Sequence, residues 1–276
     1  MIFSYIVIFS WIPVVLLLFA TLPPRRAVIV ATITAWLFLP NLAFNLPGMP
    51  DYTKTSSTTG GIVLGMLIFD PGALLRLRPR WFDLPMAIWC LVPLASSLSN
   101  GLGVYDGCSV IMAALVQWGF PYLIGRIYFD DLEGLRELAI GVVAGGLIYT
   151  PLCLFELRFS PQLERIVYGV GHWEGERFSG YRPKVFLGTG LLLGMWMTAV
   201  SLIAYWMWAA GALRRLRGIS FGGPLLVLLV ITLLCRSTGA LTLLAFGLLI
   251  LRTIRRTGWA LPIWLLVAIT PFYEVT

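Results

Sequence analysis

The chain has 276 residues, of which 59% are hydrophobic and 12% charged, with a mean hydropathy of +0.88. A soluble domain carries about a quarter charged residues, so this composition excludes an ordinary soluble enzyme, a disordered chain and a disulfide scaffold, and predicts an all-α polytopic integral membrane protein. The formal charge of +7, from 20 Lys and Arg against 13 Asp and Glu, then reads first as a topology signal rather than a nucleic-acid footprint.

A spanning helix needs about 20 apolar residues, and the chain offers ten candidate runs within one transmembrane domain, 1–276: 2–22, 27–44, 61–75, 84–98, 108–125, 138–155, 185–208, 222–235, 240–251 and 259–272. The first has no basic leader and no small-residue cleavage site, so it reads as a retained helix, stopped by Pro23-Pro24-Arg25-Arg26. The pairs Gly61/Gly65, Gly141/Gly145 and Gly190/Gly194 have the spacing of close helix crossings. Residues 225–251 contain a single charge, Arg236. One tilted helix there would bury a lone guanidinium near the midplane at about 2.5–3.5 kcal/mol on insertion scales. Two short helices meeting at a turn, 235–239, avoid that cost.

The connectors give the orientation. Arg25 and Arg26, then Arg76, Arg78 and Arg80, then Arg126 and Arg136, then Arg214, Arg215 and Arg217, then Arg252, Arg255 and Arg256 place 13 cations on one side. Lys54, Arg158, Arg165, Arg177, Arg182, Lys184 and Arg236 place 7 on the other. The heavier side is expected to be cytoplasmic. Five of the seven outward cations fall in one loop, 156–184, and that loop needs a reason.

Its last part supplies one. Arg177, Arg182 and Lys184 stand within eight residues with no acid among them, beside Gly180 and Pro183 and just before an apolar run. Guanidinium groups match phosphate oxygens in a bidentate fork, so the stretch reads as an anion-accepting collar. The plainer alternative is a loop held at lipid head groups by snorkelling cations. Arg236 is either a partner for the same anion or a cap on neighbouring carbonyls; if both features face one outer cavity, Arg177, Arg182 and Arg236 converge on a diphosphate. His172 is a candidate general base, with Trp173 and Glu174 placed to tune it, and Glu156 is an alternative base or an ion-pair partner for a loop arginine. Asp70 reads as a helix-end cap, and Asp130-Asp131-Leu132-Glu133 as a solvated connector. Cys90, Cys108, Cys153 and Cys235 lack CxxC spacing and read as free thiols. One histidine and no carboxylate cluster leave no expected metal site, and neither GxSxG, a phosphate-binding GxxxxGK[ST] nor HExxH occurs.

Two stretches together carry a resemblance. Arg177-Phe178-Ser179-Gly180-Tyr181-Arg182-Pro183-Lys184-Val185-Phe186-Leu187-Gly188 runs into an apolar helix, and about fifty residues later Cys235-Arg236-Ser237-Thr238-Gly239-Ala240-Leu241 joins two apolar segments. This order resembles the O-antigen ligase/polymerase family of bacterial membrane glycosyltransferases, over roughly residues 156–256. The resemblance implies a C-type glycosyltransferase fold without a metal or other cofactor. It implies transfer or polymerisation of a polyprenyl-diphosphate-linked glycan onto a lipid or glycan acceptor at the outer face of the bacterial cytoplasmic membrane. Arg182 and Arg236 match the motif positions, with Arg177 and Lys184 beside them as further diphosphate ligands. The family usually takes its base from a large outward loop nearer the C-terminus. Here Tyr273-Glu274-Val275-Thr276 stands where that loop begins, so the chain is expected to be the N-terminal part of such an enzyme, a truncated paralogue or a different protein. Tyr-Arg-Pro-Lys also replaces the Asn-Pro-Asn frequent in relatives. The competing readings are a transporter or flippase for an anionic lipid or lipid-linked sugar, using the same arginines, and a non-catalytic membrane scaffold.

Overall fold

The computed structural model describes residues 2–45, 50–171, 180–213, 215, 216 and 219–258. These are mostly helical. The longer helices are α1 (Ile2–Thr21), α2 (Pro24–Phe38), α3 (Lys54–Phe69), α4 (Leu84–Ser99), α5 (Val104–Ala114), α6 (Phe120–Tyr128), α7 (Leu132–Phe159), α8 (Gly190–Ala209), α9 (Gly222–Leu234) and α10 (Thr238–Thr257). A π-helical turn, Leu115–Gly119, joins α5 to α6. The only strands among the described residues are two antiparallel two-residue ribbons, β1 (Ala43–Phe44) with β2 (Tyr52–Thr53), and β3 (Arg215–Leu216) with β4 (Ile219–Ser220).

Six helical stretches are long and apolar enough to cross a bilayer: Ile2–Thr21, Trp81–Ser99, Val104–Tyr128, Leu132–Phe159, Gly190–Ala209 and Thr238–Thr257. This is the make-up of an all-α multi-pass membrane protein. Three of the ten apolar runs form shorter helices instead: α2 has 15 residues, α3 has 16 and α9 has 13. The run 259–272 lies outside the described residues. Apolar surface left exposed is the expected counterpart of a lipid solvent. On α4 only Cys90 and Ser97 are buried, while Leu84, Ile88, Trp89, Leu91, Val92 and Leu98 face outward.

The chain divides into two compact units. The first comprises Met1–Gly145, Gln162–Trp173 and Phe186–Gly188; the second comprises Gly146–Pro161, Glu174–Val185 and Thr189–Thr276. In the first, α1, α2 and α3 pack together around Val15, Phe19, Val28, Ile62 and Met66. Small residues let the backbones approach: a Cβ on Gly61 would lie 3.1 Å from Val15, and one on Gly65 2.6 Å from the Phe19 ring. The Ser57 hydroxyl donates to the Ile8 carbonyl at 2.7 Å, which satisfies a polar group inside the apolar layer. Thr53 caps α3 by accepting the Ser56 N–H, and α3 stops at Asp70, ahead of Pro71-Gly72. Asp70 accepts from Arg76 and from the Tyr128 hydroxyl, which ties down the C-terminal end of the helix.

The second unit is built on α8. Its residue Gly194 meets Ser237 and Ala240, its Thr198 hydroxyl donates to the Ala240 carbonyl, and Leu202 lies against Gly247, so α10 runs parallel to it. Ser201 and the Met197 carbonyl contact Thr232 of α9, which runs the opposite way. The break between α9 and α10 therefore sits beside the N-terminal end of α8. Residues 225–251 are two helices, as the lone arginine required: α9 ends at Leu234, Arg236 turns left-handed with φ 51°, and α10 starts at Thr238. The run 185–208 begins its helix only at Gly190, because Pro183, a left-handed Val185 and Gly188 at φ 82° keep the preceding backbone irregular. Thr189 then caps α8 by accepting the Leu192 N–H.

Candidate functional site

Glu156, Arg182, Lys184 and Arg236 all belong to the second unit and gather at the end where α8 begins. Glu156 lies three residues before the last residue of its apolar helix, Phe159, and is fully buried. Its Oε2 accepts the backbone N–H groups of Lys184 at 2.9 Å and Val185 at 2.7 Å. Successive amides that converge on one oxygen form an anion-binding nest, and here the anion is the chain's own carboxylate. Val185 shows why this grip is needed: its φ of 52° is a conformation that a β-branched side chain strongly disfavours. Glu156 thus holds the collar 182–185 in shape.

Arg182 is buried to 9% exposure, and its Nη2 donates to the Ser237 hydroxyl at 3.4 Å. Its stem lies across the N-terminus of α8, where a Cβ on Gly190 would stand 2.7 Å from Nε and 2.8 Å from Cγ. Gly190, whose spacing with Gly194 reads as a helix crossing, instead makes room for an arginine. Gly194 does serve a crossing, against Ser237 and Ala240. The Arg236 guanidinium occupies the place where a side chain on Gly180 would be. The two motifs therefore interlock: the first sends Arg182 to the turn that carries Arg236, and the second sends Arg236 back to the loop two residues before Arg182. Lys184, 2% exposed, completes the group.

Three left-handed non-glycine residues occur among the described residues, Ser160, Val185 and Arg236, and all lie in this unit, two of them inside the motifs. Such backbone strain concentrates where a site demands it. Ser237, Gly190 and the strained Val185 were not legible as site residues. Only the glycine carried a sequence signal, and that signal had a commoner meaning.

Glu156 is the sole acid among the described residues of the second unit, against Arg182, Lys184 and Arg236 at the same end. The N-termini of α8 and α10 point here as well, and Ser237 leaves α10 without a side-chain cap, so two positive helix ends add to the cations. Arg255 and Arg256 lie in the last turn of α10, at the opposite end. His172 and Arg177 lie outside the described residues. Among the described residues no three His, Cys, Asp or Glu side chains assemble into a metal-binding group. Cys90, Cys153 and Cys235 are buried free thiols and Cys108 is exposed. Comparison with known protein families, characterised proteins and solved structures finds no match to this chain.

Proposed function

We propose that the second unit binds the diphosphate of a polyprenyl-linked glycan and takes part in transferring that glycan to a lipid or sugar hydroxyl, as in O-antigen ligases and polymerases. The observation that carries the reading is the interlock of Arg182 and Arg236, with Lys184 and Glu156 buried beside them. Two guanidiniums fixed by Ser237, Gly180 and Gly190 are preorganised for an anion with oxygens on two phosphorus atoms. Such groups act most strongly where charge develops. When the bond from the sugar's anomeric carbon to the diphosphate breaks, the leaving group gains negative charge, and Arg182 and Arg236 stabilise it. The acceptor hydroxyl forms the new glycosidic bond and gives its proton to a base, for which His172 is this chain's candidate. In this reading the site faces outward from the cytoplasmic membrane, and the chain crosses the bilayer more often than its six long helices require, with the shorter helices and run 259–272 contributing.

Purified full-length chain in lipid nanodiscs tests the proposal by binding of a radiolabelled polyprenyl diphosphate. Arg182→Ala and Arg236→Ala should each weaken binding by at least about tenfold, the scale of a lost charge-assisted contact, while Arg252→Ala near the opposite end of α10 leaves it unchanged. If all three variants bind alike, the site is wrong. Formation of a glycosylated acceptor separates transfer from transport of the same lipid: movement between leaflets without product favours the flippase reading.

A further inference from the structure

The first unit contains a cavity of about 730 Å³ that the diphosphate site does not use. It exists because α3 starts at Lys54 beside the π-helical turn, whereas α5 begins at Val104, ahead of that turn. The first turns of α5 therefore extend past the end of α3. The β1–β2 ribbon and its flanks close the other side. One wall is apolar, from Val110, Met112 and Val116. Val110 and Met112 are 48% and 44% exposed, so this wall continues onto surface of the kind that faces lipid.

The other walls are polar and carry both signs of charge. Lys54 and Asp51 line the cavity, as does Gln117 from the π-helical turn, an element that recurs at functional sites because it displaces a side chain from the regular helix. Lys54 is covered on one face by the Trp36 ring, 5.2 Å away, and donates to the Trp36 carbonyl at 3.4 Å. Burial pushes its amine down to about 8, although the buried Glu164 pulls the other way. An anion in the cavity would offset that penalty by its attraction for the ammonium. The hydroxyl of Tyr52, another lining residue, is shielded and finds no hydrogen-bond partner among the described residues. A polar atom left in that state costs free energy unless a ligand or water completes it.

We infer that this cavity binds the head group of a zwitterionic phospholipid, with the phosphodiester at Lys54, the ammonium at Asp51 and the acyl chains leaving along Val110, Met112 and Val116. The balance of one cation and one anion matches a zwitterion better than an anionic head group. The apolar wall matches a ligand that is itself part of the bilayer. The inference stands apart from the diphosphate reading, since it uses none of its residues.

The test is a thermal-unfolding titration of the full-length chain in detergent with short-chain phosphatidylethanolamine, phosphatidylglycerol and phosphatidylcholine. Phosphatidylethanolamine should raise the midpoint at the lowest concentration, because of the three only its head group brings a cation that also donates hydrogen bonds to Asp51. Lys54→Gln should weaken the response to all three lipids by about tenfold. Asp51→Asn should erase the preference for phosphatidylethanolamine over phosphatidylglycerol, and Lys54→Arg should retain the wild-type order. If Lys54→Gln does not fold, Gln117→Leu on the far wall gives the same reading with a smaller loss. Equal responses to the three lipids in the wild type, no change in the Lys54 and Gln117 variants, or displacement by an uncharged glycolipid at equal concentration would each overturn the inference.

Discussion

The two units carry different kinds of charge. The stretches of the first contain nine acids and nine bases, those of the second four acids and eleven bases, so the whole +7 of the chain resides in the second. In the first, acids meet bases where helices end: Arg25 with Asp131 at 2.7 Å, Arg126 with Asp130 at 2.6 Å and with Asp83 at 3.1 Å, and Arg26 with Glu137 at 3.2 Å. These pairs organise connectors, and Asp130 and Asp131, each more than half exposed, form the solvated stretch that the sequence suggested. In the second unit the cations outnumber acids, and three of them share one end with two helix N-termini. A cation answered by an acid of its own unit can be explained by folding alone. In the second unit the proposed diphosphate site lies among the cations that its stretches carry in excess.

The largest effect that would break this contrast concerns Glu156. Replacing it with Ala leaves the Lys184 and Val185 amides buried without an acceptor, at about 2–6 kcal/mol for the two groups, and frees Val185 from its left-handed backbone. Glu156→Gln keeps one carbonyl oxygen for both amides. The melting temperature in detergent should therefore fall steeply for the Ala variant and only slightly for Gln. If both fall together, Glu156 acts through its charge, and the anchor described above is wrong.

Two glycines sharpen the comparison at lower cost. Gly65→Ala drives a methyl into the Phe19 ring of the first unit, and Gly194→Ala drives one against Ser237 and Ala240 of the second. Overpacking of this kind costs about 1–3 kcal/mol at either place. Only the second also displaces Ser237, which holds Arg182. Both variants should lose similar stability, and Gly194→Ala alone should weaken polyprenyl-diphosphate binding.

Much of this contrast was legible in the sequence, but unevenly. The break at Arg236 could be read because a guanidinium near the midplane of a single helix is costly enough to favour two short helices. The collar could be read because Arg182 and Lys184 stand close together without acids. Their meeting with Arg236 could be read only as a condition, since it depends on α9 doubling back along α8, and apolar periodicity does not encode helix order in space. Helix starts were misplaced for a related reason. Val185, Phe186 and Leu187 are apolar enough for a span, yet a buried irregular backbone satisfied by Glu156 and Asn41 is just as apolar. Gly190 was ambiguous because a missing side chain makes room for a helix or for an arginine equally well.

The chain's two lysines, Lys54 and Lys184, give each unit one chemical probe. With its amine near 8, Lys54 holds on the order of a hundredfold more neutral amine at about pH 7.5 than an ordinary lysine near 10.4. Lys184 is 2% exposed and is shielded from reagent. Mass spectrometry after mild acylation should find Lys54 modified and Lys184 intact, with the rate at Lys54 levelling off above pH 8. Equal labelling would mean that the collar opens readily.

The smallest effect is the pH response of Asp131. The Gly134 amide, at 2.6 Å, and then Arg25 hold its carboxyl below the usual carboxylate range. Because the folded value is depressed, its stabilising contribution is complete above the unfolded pKa of about 3.9 and is lost as pH falls through the folded value. The side chain is 56% exposed, so solvent screening keeps the contribution small. Wild type and Asp131→Asn should differ slightly in melting temperature at neutral pH and converge in acid. Sites that share no partners contribute independently, so Asp131→Asn should also leave polyprenyl-diphosphate binding untouched. A loss of binding in that variant would mean that the balanced charges of the first unit help to set the field at the second, and the division drawn between them would fail.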